Sequence, residues 1–197
     1  GEPSPYSPYQ EIYLDFLPVR DYVDSGIWTV RLIPQRIVTG RYDMWFPAGG
    51  VLNEGTGFLL PRAETTLTIP STAAKVITVG AYDARFGQLA GFSGRGFTGN
   101  GQVKPDLAAP GVEISTVNGP YSGSSMAAAL TAGACAQLMQ WCVAENNYPR
   151  ISGRGIQTFL SRGAREQTQE EYPSRRWGYG QLDMRRTFDE IAGNYPE

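Results

Sequence analysis

The sequence predicts an α/β protein whose amino-terminal part is β-rich, and three patterns lead to this prediction. In residues 1–69, apolar and polar side chains alternate over several short segments, which is typical of half-buried strands. Residues 76–81 form a short apolar run, as buried parallel strands do. Residues 126–141 carry no charge, so they predict a helix that is buried on nearly every side.

The composition of the 197-residue chain excludes several classes of function. Hydrophobic residues make up 41% and charged residues 18%, which is typical of a globular protein. The net charge is −2 and no basic run is present, so nucleic acid is not an expected partner. The chain contains no histidine, which excludes a self-contained Ser-His-Asp or Cys-His site and any imidazole metal site.

The two cysteines predict neither a disulfide nor a metal centre. Cys135 and Cys142 are seven residues apart on the predicted helix, which separates them by about 10.5 Å along its axis. A disulfide needs Cα atoms within about 7 Å of each other, and a structural zinc site needs about four ligands. We therefore expect two reduced core thiols.

The beginning of the chain predicts that it is cut from a longer protein. The first residues are loop-like, lack an initiator methionine, and have neither the basic nor the apolar region of a signal peptide. No run reaches the roughly 18 apolar residues of a membrane span, so a membrane is not an expected partner either.

Two domains are predicted, residues 1–69 and residues 70–197. The alternating segments of the first lie at residues 11–17, 27–32 and 42–46, with glycine and proline between them. Short strands with such turns indicate a small β-sandwich or part of one.

The second domain has the alanine-rich, apolar character of an α/β core, and the change of character places the boundary between Pro47 and Pro70. Besides the strand and the uncharged helix, residues 112–117 predict a second strand. Residues 156–162 and 183–192 predict two shorter amphipathic helices near the surface.

Residues 94–99 read Gly-Arg-Gly-Phe-Thr-Gly, which matches the G-x-G-x-x-G pattern of dinucleotide-binding loops. That function requires a helix to begin at the third glycine, so that its N–H groups face the pyrophosphate. Asn100 and Gly101 follow instead, and Pro105 comes soon after. A turn-rich loop is therefore predicted, and no nucleotide cofactor.

Residues 123–127, Gly-Ser-Ser-Met-Ala, place two serines at the start of the uncharged helix. A serine there has an unpaired N–H beside the positive end of the helix dipole. This geometry suits a nucleophile, because a hydrogen-bond donor lies next to the attacking oxygen. A serine in the same place can instead cap the helix, and the pattern by itself leaves both interpretations open.

The segment around these serines resembles the Gly-Thr-Ser-Met-Ala signature at the nucleophile of subtilisin-like serine peptidases, the subtilase family. Further segments resemble other motifs of that family in the family's order: residues 69–81, 92–96, 103–112 and 177–183. The resemblance implies a partial subtilisin-like parallel-sheet core with a buried nucleophile helix.

The resemblance also implies that Ser125 is the acylating nucleophile and that its backbone N–H provides half of the oxyanion hole. Ser124, Ala129 and Leu130 stand where the family has threonine, proline and histidine, and none of these is the nucleophile. The family's catalytic aspartate and histidine lie earlier than anything in this sequence, which agrees with the absence of histidine. Asp106 lies in a structural motif and is not assigned to the triad.

Residues 26–32 and 40–47 resemble the end of a β-jelly-roll insert found in a narrower branch, which includes bacterial spore-germination subtilases. In that branch the insert lies between the oxyanion asparagine and the last third of the peptidase. Residues 53–55, Asn-Glu-Gly, also resemble the oxyanion segment, in which case Asn53 would supply the second donor. We prefer the insert interpretation, which places Asn53 in the loop that returns to the core.

The sequence therefore predicts the C-terminal part of a subtilisin-like serine endopeptidase that acts on peptides or proteins without metal or cofactor. Its expected partner is the missing amino-terminal half, with the aspartate and histidine, so the isolated chain is expected to be inactive. A non-catalytic subtilase relative that serves as a binding or regulatory module is the alternative. A carbohydrate-binding β-sandwich, indicated by the aromatic side chains of residues 1–69, is a third interpretation.

The unbridged cysteines are compatible with the cytoplasm or a spore.

Overall fold

A computed structural model of the chain describes residues 10–18, 20–47 and 52–193. The chain divides into two units, Gly1–Glu54 and Gly55–Glu197. This division lies between Pro47 and Pro70, where the change in sequence character places the boundary, but before the predicted domain limit at residue 69. The reason is local, because Thr65 and Thr66 donate backbone hydrogen bonds to the carbonyls of residues 95–96 and so belong to the second unit.

In the first unit, residues 10–18 and 20–47 form no helix and no strand longer than the single bridge residue Tyr22. The strands predicted at residues 11–17, 27–32 and 42–46 are therefore not observed. A strand exists through hydrogen bonds to a neighbouring strand, and the described residues of this unit do not supply one. Their side chains are exposed, although Phe16 and Trp28 form an edge-to-face pair with ring centroids 5.1 Å apart.

The second unit is built on a three-stranded sheet of β1 (Val79–Asp83), β2 (Gln88–Leu89) and β3 (Leu107–Pro110), in the order β2-β1-β3. Strands β1 and β3 are parallel, and β2 is antiparallel to β1. The central residues of β1 are buried, which confirms a buried parallel strand in this segment, although it begins at Val79 and not at residue 76 as the apolar run predicts.

A separate two-stranded hairpin follows the sheet, formed by β4 (Ile114–Thr116) and β5 (Gly119–Tyr121). The second predicted strand is therefore present but shorter, and it pairs with its own successor rather than with the main sheet. Gly119 has φ +106°, a conformation that glycine adopts without strain, so the chain can reverse within two residues.

Three helices complete the second unit: α1 (Ser124–Met139), α2 (Gly153–Gly163) and α3 (Met184–Ala192). Helix α1 continues into a short π-helical segment, Gln140–Ala144. The side chains of Ser152 and Asp183 cap α2 and α3 by accepting backbone N–H groups of the first turn. The two amphipathic helices predicted from the sequence are thus observed.

Helix α1 is buried along one face, not on every side as its lack of charge predicts. The buried positions recur every three or four residues: Ala127, Thr131, Ala134 and Leu138. By contrast, Leu130 is 41% exposed and Met139 is 50% exposed. An uncharged sequence shows that a helix can be buried on every side, not that it is. In α1 the described residues of the chain cover one face only.

By length and composition, Ser124–Ala144 could also cross a membrane, a weak indication because core helices meet the same criterion.

Residues 177–182 pair with β3 and close the second unit. The N–H of Leu182 donates to the carbonyl of Ala108 (2.7 Å), whose own N–H donates to the carbonyl of Gly180 (2.9 Å). A Cβ on Gly178 would lie 2.3 Å from the carbonyl oxygen of Pro105, so a larger residue does not fit there. Trp177 is 1% exposed and anchors this segment in the core.

Candidate active site

Ser125 lies in the first turn of α1, two residues after the helix N-cap. The N-cap residue is Gly123, whose backbone is extended (φ 160°, ψ 158°). No described side chain caps this end of the helix with a hydrogen bond. The interpretation of Ser124 or Ser125 as a capping serine is therefore wrong. The Ser125 side chain is exposed at the surface of the second unit.

The backbone N–H of Ser125 is an available hydrogen-bond donor. The first N–H groups of a helix have no partner within the helix. The N–H of Met126 donates to the carbonyl of Gly123 (3.0 Å), whereas the N–H of Ser125 has no acceptor among the described residues. The positive end of the helix dipole therefore lies beside the Ser125 hydroxyl, where it favours negative charge.

A two-residue link, Ser122 and Gly123, connects β5 to α1 and is hydrogen-bonded to the turn that follows β3. The N–H of Gly123 donates to the carbonyl of Gly111 over 2.8 Å. The N–H of Glu113 donates to the hydroxyl oxygen of Ser122 over 2.9 Å. Both residues of the link are thus held by one turn, residues 111–113.

The turn approaches the link closely because residue 111 is glycine. A Cβ at that position would lie 2.7 Å from the Cβ of Ala81 and 3.0 Å from the carbonyl oxygen of Gly123. The N–H of Gly111 also donates to the carbonyl of Tyr82 (2.9 Å), which joins the turn to the end of β1. The sheet therefore sets the position at which α1 begins.

The described residues supply no base for Ser125. The chain contains no histidine and two lysines, of which Lys75 is exposed. Lys104 is buried, and its ammonium group donates to the Asp106 carboxylate (2.7 Å) and to the carbonyl of Val76 (2.5 Å). The Ser125 hydroxyl has no hydrogen-bond partner in the part of the chain that the structure describes, so nothing described there activates it.

Asp106 holds the core together, in agreement with the structural role expected for its motif. Its carboxylate accepts hydrogen bonds from three groups: the Thr78 N–H (2.6 Å), the Lys104 ammonium (2.7 Å) and the Gln157 amide (2.5 Å). Its side chain is 2% exposed. All three donors come from the second unit, and a carboxylate so fully occupied is not free to orient a histidine.

The glycine-rich segment at residues 94–99 is a loop, as predicted, and no helix begins at its third glycine. The N–H of Gly96 donates to the carbonyl of Arg175 (2.8 Å). A Cβ on Gly96 would overlap the carbonyl oxygen of Lys104 at 1.6 Å, so glycine is required for packing at this position. The Arg175 guanidinium lies over the Phe97 ring, 4.8 Å from its centre.

The cysteines are free thiols away from the start of α1. Cys142 is buried and Cys135 is partly buried, and burial raises the pKa of both thiols. A raised pKa keeps a thiol protonated and poorly nucleophilic at neutral pH. Asn53 is exposed and belongs to the first unit, and its preferred placement in the return loop, not in the oxyanion hole, stays a prediction.

Sequence reasoning did not single out Gly111 or Ser122 as residues that position the site. Gly111 makes its contacts through backbone groups, and the Ser122 hydroxyl accepts a backbone N–H, that of Glu113, which nothing in the sequence distinguishes from other backbone N–H groups. The available signal is the small size of the two residues before Ser124 and the Pro-Gly pair at the end of the strand β3. Neither signal indicates which backbone groups meet.

Comparison with known proteins identifies the family of this fold. A model of the subtilase family, Peptidase_S8, matches residues 55–180. Serine protease AprX of Bacillus subtilis (strain 168) is 35% identical over 129 residues, which cover 53% of this chain and 29% of that protein.

Two solved structures extend the comparison to three dimensions. The structure of the Clostridium perfringens CspB protease has a TM-score of 0.69 and 41% identity, over 73% of this chain and 32% of that one. The patellamide maturation protease PatA has a TM-score of 0.54 and 24% identity, over 68% and 49%, and supports the fold only. The chain thus spans about a third of the length of AprX and CspB.

Proposed function

The chain belongs to the subtilase family, and on that basis we propose that it carries the nucleophile, Ser125, of a serine endopeptidase. The observation that supports this role is the position of Ser125. Its hydroxyl is exposed at the start of α1, and its N–H has no acceptor among the described residues. A nucleophilic oxygen and an oxyanion donor therefore lie on one residue.

In the proposed reaction, the Ser125 Oγ attacks the carbonyl carbon of a peptide bond while a base removes its proton. The N–H of Ser125 donates to the carbonyl oxygen as negative charge develops there. Collapse of the tetrahedral intermediate expels the amine, which takes the proton back, and water then hydrolyses the acyl-enzyme. Substrates are peptides or proteins.

The base and its orienting carboxylate come from outside this chain in the proposed enzyme. The chain has no histidine, Lys104 and Asp106 are committed to each other in the core, and Lys75 is not part of a Ser-Lys motif. We propose that a preceding part of the polypeptide supplies the histidine and the aspartate. The isolated chain is then inactive, because a serine hydroxyl is a weak nucleophile without a base.

The uncovered side of α1 supports this proposal. Ala128, Leu130 and Ala132 are exposed although the helix carries no charge from Ser124 to Met139. A helix that is apolar all round is normally buried all round. We therefore propose that the rest of the peptidase packs on this side.

We also propose that residues 1–69 are the end of a jelly-roll-like insert and its return to the peptidase. The exposed, alternating segments of residues 10–47 support this, because such segments become strands when neighbouring strands pair with them. Asn53 then lies in the return segment, and another residue supplies the second oxyanion donor.

Hydrolysis of fluorescein-labelled casein tests the proposal. The chain is assayed by itself and together with the preceding segment of the full-length protein, with Ser125→Ala and the neighbouring Ser124→Ala as matched variants. We expect hydrolysis only when both parts are present, with loss of activity in Ser125→Ala and retention in Ser124→Ala. A folded full-length protein that cleaves nothing would instead be a non-catalytic module, and cleavage by the isolated chain would show that it holds its own base.

A further inference from the structure

We propose that Ser122 is a positioning residue for the nucleophile, acting through its hydrogen bond to the turn at residues 111–113. This inference rests on the proposed function of Ser125. It concerns a residue whose hydroxyl accepts the N–H of Glu113 and so fixes the link from which the nucleophile helix begins.

The link is the place where the position of Ser125 is determined. Tyr121 is still paired with β4, and Ser124 is already helical, so only Ser122 and Gly123 lie between strand and helix. Among the described residues, no side-chain hydrogen bond at the N-cap position or at Ser125 holds the first turn of α1. The restraint comes from two contacts with the turn, one for each residue of the link.

These two contacts differ in how they can be changed. Gly123 is held through its backbone N–H, which donates to the carbonyl of Gly111 (2.8 Å). Any residue other than proline at position 123 keeps this N–H. Ser122 is held through its side chain, whose oxygen accepts the N–H of Glu113 (2.9 Å). A single substitution of Ser122 therefore removes half of the restraint and leaves the other half in place.

The turn itself is anchored to β1 and to the residues that follow it. The N–H of Gly111 donates to the carbonyl of Tyr82 (2.9 Å). The carboxylate of Glu113 pairs with Arg85, which also pairs with Asp83 at the end of β1. Because the turn is fixed to β1, its hydrogen bond to the Ser122 hydroxyl fixes the start of α1 relative to the sheet.

Loss of the hydroxyl should affect the chemical step more than binding. In Ser122→Ala the N–H of Glu113 loses its acceptor, and the link, now held only through the N–H of Gly123, can shift. A displacement of about 1 Å can lower a reaction rate by roughly 100-fold, and loss of one ordinary hydrogen bond corresponds to about tenfold. Ser122→Thr keeps an oxygen on Cβ and should restore the contact.

The test measures phosphonylation of Ser125 by a fluorophosphonate probe in the full-length protein. Saturation kinetics separate the maximal rate of modification from the apparent dissociation constant of the probe. For Ser122→Ala we expect the maximal rate to fall by about tenfold, with an apparent dissociation constant within about twofold of the original. Ser122→Thr should restore the maximal rate to within about twofold.

Thr116→Val is the matched control, because Thr116 also makes a hydroxyl hydrogen bond in the hairpin, to the carbonyl of Gly119 (2.8 Å). That contact does not reach the link, so this variant should react at the original rate. A Ser122→Ala protein that reacts at the original rate would overturn the inference and leave the proposed function intact. So would an equal loss in Thr116→Val. A folded wild-type protein that takes no label at Ser125 would instead overturn the proposed function, and the inference with it.

Discussion

At the scale of single residues, the buried pair of Lys104 and Asp106 joins three parts of the second unit. Their side chains are 3% and 2% exposed, and the carboxylate also accepts hydrogen bonds from Thr78, just before β1, and from Gln157 in α2. Removal of one partner from a buried pair leaves an uncompensated charge, which costs about 3–5 kcal/mol.

We therefore predict that Asp106→Ala lowers the free energy of unfolding by about 3–5 kcal/mol, measured by urea denaturation of the chain. Glu170→Ala is the control, because it breaks a surface pair with Arg176 that is worth about 0–1 kcal/mol. Equal, small losses in the two variants would contradict the assignment of Asp106 as a structural centre.

A second residue-scale prediction concerns the pH dependence of the Asp83 carboxylate. Its hydrogen bonds with the Arg85 side chain (2.7 and 3.0 Å) lower the pKa of Asp83. In Arg85→Ala, the pKa of Asp83 should rise toward its ordinary value of about 3.9, as measured by NMR titration of the carboxyl carbon.

The sign of the effect on stability follows from the lowered pKa. The folded state holds the proton less tightly than the unfolded state, so the interaction stabilises the fold above the ordinary pKa of about 3.9. This contribution disappears as the pH falls through the pKa of the folded state. An Asp83 pKa that is the same in both proteins would show that the pair does not form in solution.

At the scale of elements, α1 offers two alanines, two positions apart, with opposite surroundings. Ala134 is 5% exposed within the largest core cluster, whereas Ala132 is exposed. Ala134→Glu should lower the free energy of unfolding by several kcal/mol, because an unpaired carboxylate would be buried, whereas Ala132→Glu should change it by about 0.5 kcal/mol or less. Thermal unfolding of both variants of this chain measures the difference, and a large loss in Ala132→Glu would mean that the helix is covered on that side too.

Sequence reasoning was reliable for elements that are stabilised by their own residues or their nearest neighbours in the core. The start of α1, the buried strand β1 and the two amphipathic helices could all be predicted, from an uncharged stretch after Gly-Ser-Ser, a short apolar run and the spacing of apolar residues, respectively. The segments of residues 10–47 could not, because alternation shows that a strand can form and not whether a neighbouring strand pairs with it. The hydrogen bond from the N–H of Glu113 to the Ser122 hydroxyl could not be predicted either, because every residue except proline carries a backbone N–H and the sequence does not single out this one.

At the scale of the whole molecule, the two units should differ in their resistance to proteolysis. The described residues of 10–47 are exposed and lack helices and strands, whereas β1 to α3 form a hydrogen-bonded core. A protease of broad specificity should cut first within residues 10–62 and leave a resistant product that begins near residue 63. Thr65 and Thr66, which are hydrogen-bonded to the second unit, set this limit. First cuts within residues 103–140 would contradict the division.

The central claim is that Ser125 is a correctly placed nucleophile whose base lies outside this chain. Loss of the histidine from a subtilisin triad lowers kcat by about 2 × 10⁶, so the chain by itself should remain essentially unlabelled by a fluorophosphonate.

The most direct test is peptide mass spectrometry of the phosphonylated protein, with and without the preceding segment of the full-length protein, and with Ser125→Ala as control. We predict an adduct on the peptide that contains Ser125 only when the preceding segment is present, and none in Ser125→Ala. Rapid labelling of Ser125 in the isolated chain, or an adduct on another serine of the assembled protein, would contradict the claim.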